Sequence, residues 1–292
     1  MSLKHLLSAA ACVAAIGVAP IAHSATINVL WYGQDAPYNT QMTNLAAGAA
    51  SYDPAGDGSL SWNFTLWNSS DPTPTFSAYD VLVIGSSQTF GMGFDATRLL
   101  GAKSGIEAAR GTRTFLSGQD ADWHYINGPG ARDDGPRGFL INAVNWAGSG
   151  TGLGIVSLAD GWSGSGSQWW SNANSFLAAE LAGTTAYFQE ERVVIPAATA
   201  GFPVNEGLTT AGLSNWGTSS HSGFTSVPTG YLSINDSGSF QGRYVTIVTE
   251  AHAGGCTTGC GDQPTPVPAP PTLLLMGMAL FALGAVNRRR MR

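Results

Sequence analysis

Charge is scarce in this 292-residue chain: charged residues make up 11%, against ~25% in an average soluble domain. Lysine is nearly missing, since Lys103 alone stands between Lys4 and the C-terminus. Five of the 13 basic residues, Lys4, Arg288, Arg289, Arg290 and Arg292, sit at the extreme ends, whereas all 19 acidic residues lie between Asp35 and Asp262. A body so acidic repels phosphate backbones, which excludes nucleic acid as a partner. Cysteine is equally sparse, at three residues, so the chain is not a disulfide-stapled miniprotein. No Gly-x-Gly-x-x-Gly follows the first expected strand and no Gly-x-Ser-x-Gly occurs anywhere. A dinucleotide fold and a lipase-type hydrolase therefore lack their motifs. What is abundant is apolar and small residues, with 43% hydrophobic residues and 38 glycines, enough for a packed core.

The ends account for the basic residues. Lys4 and His5 precede an apolar run from Leu6 to Ile21, and Ala22-His23-Ser24 supplies small residues for cleavage, the pattern of a secretory signal over residues 1–24. At the other end, Pro264, Pro266, Pro268, Pro270 and Pro271 form a semi-rigid spacer. Leu273 to Val286 follows as an apolar segment closed by Arg288, Arg289 and Arg290. At ~1.5 Å rise per residue it spans ~21 Å, which crosses a ~30 Å hydrocarbon core only with thinning or snorkelling. The arginines would stay cytoplasmic and leave the body outside.

Val267-Pro268-Ala269-Pro270, the following Pro-Thr-Leu-Leu-Leu, the Gly-spaced apolar segment and Arg288-Arg289-Arg290 together resemble the PEP-CTERM sorting tail. The sequence departs from that pattern at Ala269, where such tails carry Glu. The resemblance implies an exosortase as processing partner, anchoring in the inner membrane through the C-terminal helix, and then release to the cell surface or an exopolysaccharide matrix. The expected organisation is a signal peptide (1–24), an exported α/β domain (25–255), a Cys-containing, Pro-rich spacer (256–271) and a transmembrane sorting tail (272–292).

Within the body, strands are expected at Thr26–Tyr32, Trp62–Trp67, Tyr79–Gly85, Thr112–Ser117, Gly154–Leu158 and Arg243–Thr249. Helices are expected near 37–50, from Asp95 to Arg110, around Gly138–Trp146 and over Gln168–Leu181. Continuous apolar strands alternating with helices predict an α/β fold with a parallel sheet covered on both faces, a three-layer flavodoxin-like domain.

That order, with Tyr79-Asp-Val-Leu-Val-Ile-Gly85 and Gly201-Phe-Pro-Val-Asn-Glu-Gly-Leu208, loosely resembles class I glutamine amidotransferase-like domains and their ThuA-like branch. Catalytic members carry a cysteine in a Gly-x-Cys-x-Gly turn and a later His-x-Glu. Here the turn reads Gly118-Gln-Asp-Ala-Asp122, and near the end of the body stands Glu250-Ala-His252 in reversed order. Without a thiol no thioester forms, so amidotransferase chemistry is not expected.

Asp120, Asp122 and His124 alternate after the Thr112–Ser117 strand, and an extended loop would point all three one way. Two carboxylates and an imidazole suit a divalent cation, a sugar or acid–base work, or else a solvated loop. Glu250 and His252 end the last strand and His221 lies in a Ser/Gly-rich stretch; all three are expected to approach the same edge. Asp53–Gly58 reads as a turn, and Trp169-Trp170 as core rather than a sugar platform. Cys256 and Cys260 form a disulfide in an oxidising compartment, or join His252 as zinc ligands. Two functions stand open: a non-catalytic surface protein, associated with exopolysaccharide, and a carbohydrate-active or metal-dependent hydrolase using the Asp/His cluster.

Overall fold

The computed structural model describes residues 26–33, 61–68, 70–86, 94–126, 135–159 and 168–249. Five parallel strands form one half of its sheet: β1 (Thr26–Tyr32), β2 (Ser61–Trp67), β3 (Val81–Ile84), β4 (Arg110–Ser117) and β5 (Leu153–Leu158), in the spatial order β2-β1-β3-β5-β4. β1, β3, β4 and β5 bury residues on both faces, as a parallel sheet between helices requires, whereas the edge strand β2 buries only Trp67. In β1, Val29 and Trp31 join one apolar cluster, whereas Leu30 and Tyr32 join the other. The first cluster is closed by helix α4 (Pro136–Gly148) through Phe139, Leu140 and Val144. Helix α4 starts on a proline, whose fixed φ suits a first turn. The second cluster is closed by α1 (Thr97–Gly101), α2 (Lys103–Ala109) and α5 (Ala178–Leu181), through Leu99, Ile106 and Leu181. Helix α3 (Ala121–Ile126) follows β4 directly.

The other half of the sheet is antiparallel, which the alternation of strands and helices does not announce. Strand β10 (Tyr244–Thr249) runs against β4, with Thr246 opposite Ser117 and Val248 opposite Phe115. Beyond it come β8 (Ser220–Phe224) and β6 (Thr185–Glu190), while β9 (Tyr231–Ser237) pairs with β10 and the short β7 (Val193–Val194) with β9. Where β4 ends, Gly118 enters a gap between two strands. Its N–H donates to the Val245 carbonyl and its own carbonyl accepts from His221 N–H. A Cβ there would lie 1.7 Å from the Ser222 carbonyl oxygen, so this approach needs glycine.

Two expected helices are shorter than the sequence suggests. The Asp95–Arg110 helix breaks at Ala102, and Arg110 already belongs to β4; the Asp95 carboxylate accepts from Thr97 N–H before the first turn. The Gln168–Leu181 helix is a 3-10 turn at Gln168–Ser171 and the short α5. Between them Asn172 and Ser175 take up the N–H groups of Asn174 and Leu177 with their side chains, the competition that keeps such residues out of helix interiors. Trp169 and Trp170 are buried in the second cluster, where Trp170 stacks on Phe224 and donates to Ser157 Oγ. Among the described residues no helix is long and apolar enough to cross a membrane. The signal segment, the 37–50 helix, Asp53–Gly58, Cys256, Cys260 and the sorting tail lie outside the described residues.

Candidate functional site at the end of strand β4

The chain leaves β4 at Ser117, passes Gly118 and Gln119, and turns into α3 at Asp120, whose carbonyl accepts from His124 N–H. Residues 120–124 are thus helical rather than the extended loop expected, and the consequence is geometric. At 3.6 residues per turn, positions four apart share a face and positions two apart diverge by about 200°. Asp120 and His124 therefore meet, with Oδ1 3.2 Å from Nε2. Asp122 turns elsewhere and accepts from Ser86 N–H at 2.9 Å. Burial pushes the Asp122 carboxyl up to about 6, helped by the charge of Asp120 and opposed by the Ser86 donors.

The third member comes from β8. Because His221 N–H bonds to the Gly118 carbonyl, its ring falls beside the turn, with Nε2 3.5 Å from Asp120 Oδ2. Asp120 is consequently a carboxylate between two imidazoles. All three are buried, at 3%, 1% and 6% exposure for Asp120, His124 and His221. One ligand atom from each lies within 4.8 Å of the others. Trp123 and Trp216 bring their rings to 4.9 and 5.4 Å from that of His124, lowering the dielectric around it.

Nothing in the residue pattern announced the fourth contributor, the carbonyl of Thr218, 2.9 Å from His124 Nε2. It sits in a loop with positive φ at Asn215 (60°), Gly217 (89°) and Thr218 (102°). For a β-branched residue that is a costly conformation, and the surrounding bonds enforce it. Asn215 N–H donates to Glu191 O, Ser219 N–H to Glu190 O, and Trp216 N–H to Ser219 Oγ. A backbone carbonyl leaves no mark in a sequence.

Strand β10 changes the expectation for Glu250 and His252. Its last described residue, Thr249, bonds to Thr112 O and Thr114 N–H, at the start of β4. The strand therefore runs away from Asp120, and an approach of its end to the same edge does not follow. Glu250 and His252 themselves lie outside the described residues.

Chemically, the arrangement offers one carboxylate, two imidazoles and a carbonyl, and among the described residues no thiol or activated hydroxyl is placed with them. Some buried polar atoms here find no hydrogen-bond partner: Asp120 Oδ1, His124 Nδ1 and, on the adjoining residue, Gln119 Oε1. Such orphans are few in native proteins, and a cluster of them asks for an ion, a water or a ligand. Compared with protein-family models, curated proteins and solved structures, the chain matches none.

Proposed function

We propose that the chain is an exported cell-surface protein whose α/β domain binds its ligand at the carboxyl end of β4 rather than turning it over by amidotransferase chemistry. The fold reading behind this is flavodoxin-like, of the amidotransferase-like kind, with α/β layers around the parallel half of the sheet. The observation that carries the binding reading is the turn from β4 into α3. In the resemblance this turn would present a nucleophilic cysteine; here it presents Asp120, held between His124 and His221. A buried carboxylate between two imidazoles is not the thiolate that amidotransferase chemistry uses, which supports holding a ligand at this turn. Export rests on residues 1–24 and on Val267-Pro268-Ala269-Pro270 with Arg288, Arg289 and Arg290. These support insertion in the inner membrane, processing by an exosortase and delivery to the surface or an exopolysaccharide matrix.

Cell fractionation in a host that has an exosortase tests the destination. The chain is expected at the surface or in the medium with its tail removed, and replacing Arg288, Arg289 and Arg290 by Ala should leave it unprocessed. Cytoplasmic retention of the intact chain would contradict the proposal. A second reading, a metal-dependent or carbohydrate-active hydrolase, is favoured by the convergence of Asp120, His124 and His221. It requires glycan turnover by the purified full chain that depends on a divalent ion and disappears in Asp120→Asn.

A further inference from the structure

We infer that Asp120, His124 and His221, with the Thr218 carbonyl, form a binding site for a single first-row transition-metal ion, of which zinc is the type. The distances favour an ion over a hydrogen-bonded relay. A charge-assisted N–H···O bond closes to about 2.7–2.9 Å. The two Asp120–His separations are instead 3.2 and 3.5 Å, and Asp120 Oδ1 accepts no hydrogen bond although it is buried. Donors about 2.0–2.2 Å from a tetrahedral centre stand roughly 3.3–3.6 Å apart, and the two Asp120–His separations, 3.2 and 3.5 Å, fall close to that range. The Asp120 carboxylate thus stands from each ring at about the separation of two ligands of one ion.

The donor chemistry selects the class of ion. Two imidazole nitrogens, a carboxylate and a carbonyl form a borderline N2O2 set suited to zinc and its neighbours. Calcium takes six to eight oxygens and magnesium keeps most of its water, so neither is matched by this set. The Thr218 carbonyl accepts from His124 Nε2–H at 2.9 Å; to become the fourth donor it draws back by about 0.4 Å as the ion takes the place of that proton. When the ion binds, the His124 proton moves from Nε2 to Nδ1 and the Nε2 lone pair goes to the metal. The strained backbone at Asn215–Thr218 is what brings that oxygen there.

The inference stands apart from export, because a chain that holds zinc yet stays in the cytoplasm would refute the destination alone. The test uses the tag-free full chain, stripped with a chelator and titrated with Zn2+ by calorimetry. One equivalent should bind, undisturbed by excess Ca2+, and Asp120→Asn and His221→Ala should each weaken binding at least ~100-fold while keeping the wild-type circular dichroism. A combined His252→Ala, Cys256→Ser, Cys260→Ser variant should bind as the wild type does. Should the site variants fail to fold, zinc-edge X-ray absorption of the wild-type complex decides: nitrogen and oxygen neighbours with imidazole scattering are expected. Absence of stoichiometric zinc, unchanged affinity in folded site variants, loss of zinc in the combined variant, or sulfur in the coordination shell would each overturn the inference.

Discussion

Glu190, at the end of β6, braces the loop that carries Thr218, and the replacement Glu190→Gln isolates that brace. The buried carboxylate accepts from Arg192 N–H at 2.7 Å, from Ser239 N–H at 2.9 Å and from Ser239 Oγ at 2.8 Å, and also from the Ser237 hydroxyl. Its own carbonyl accepts from Ser219 N–H, one residue past Thr218. A glutamine keeps one oxygen and puts an NH2 group in place of the other. The serine hydroxyls can rotate to accept from that group, but a backbone N–H cannot. Either orientation of the amide therefore takes the acceptor from one part-buried N–H, of Arg192 or of Ser239, and losing that charge-assisted bond costs about 1–3 kcal/mol. The pH dependence follows. Burial raises the Glu190 carboxyl, but the donors from Ser237, Arg192 and Ser239 outweigh it and hold the group below its ordinary value. A depressed carboxyl contributes stability that is complete above the unfolded value of about 4.3 and is lost as pH falls through the lower folded value. Urea denaturation of wild type and variant should thus differ by about 1–3 kcal/mol at pH 7 and by much less near pH 3. Equal differences at both pH values, or none at pH 7, would refute the reasoning.

Other perturbations probe the same architecture. Gly118→Ala drives a Cβ to 1.7 Å from the Ser222 carbonyl oxygen and should cost on the order of 3 kcal/mol or more, read as lost soluble yield and a lowered melting temperature; a variant melting like the wild type would contradict the close approach. Trp170→Ala removes a fully buried indole stacked on Phe224 and should cost about 3–5 kcal/mol, lowering the melting temperature by roughly 10 °C. Zinc at about 100 times its dissociation constant should stabilise the wild type by about 2.7 kcal/mol, a calorimetric shift that Asp120→Asn should lack. Asp122→Asn, whose side chain faces Ser86 rather than the two imidazoles, should keep the metal; losing it would favour the extended-loop geometry.

The parallel half of the sheet was legible because β1, β3 and β5 are mostly apolar, interrupted by Thr26, Asn28, Gly154 and Ser157, and their burial follows from that composition. β8 was not: Ser220-His-Ser-Gly-Phe224 has the composition of a loop, yet all five residues are buried, and the neighbouring strands β10 and β6 provide that burial. Nor could the direction of β10 be read, since Tyr-Val-Thr-Ile-Val-Thr is equally apolar in a parallel or an antiparallel partner. That ambiguity produced the expectation for Glu250 and His252. At the site, Asp120, His124 and His221 were legible as residue types. Their grouping depended on α3 being a helix, which rests on six residues without a strong periodic signal. Thr218 acts through its backbone and was invisible to any argument from side chains.

The most direct measurement is the visible absorption spectrum of the tag-free full chain loaded with Co2+ in place of zinc. The account predicts the intense bands of a four-coordinate nitrogen and oxygen site, present in the wild type and missing in Asp120→Asn and His221→Ala. A weak six-coordinate spectrum, or a near-ultraviolet thiolate charge-transfer band, would contradict a metal held by Asp120, His124, His221 and the Thr218 carbonyl.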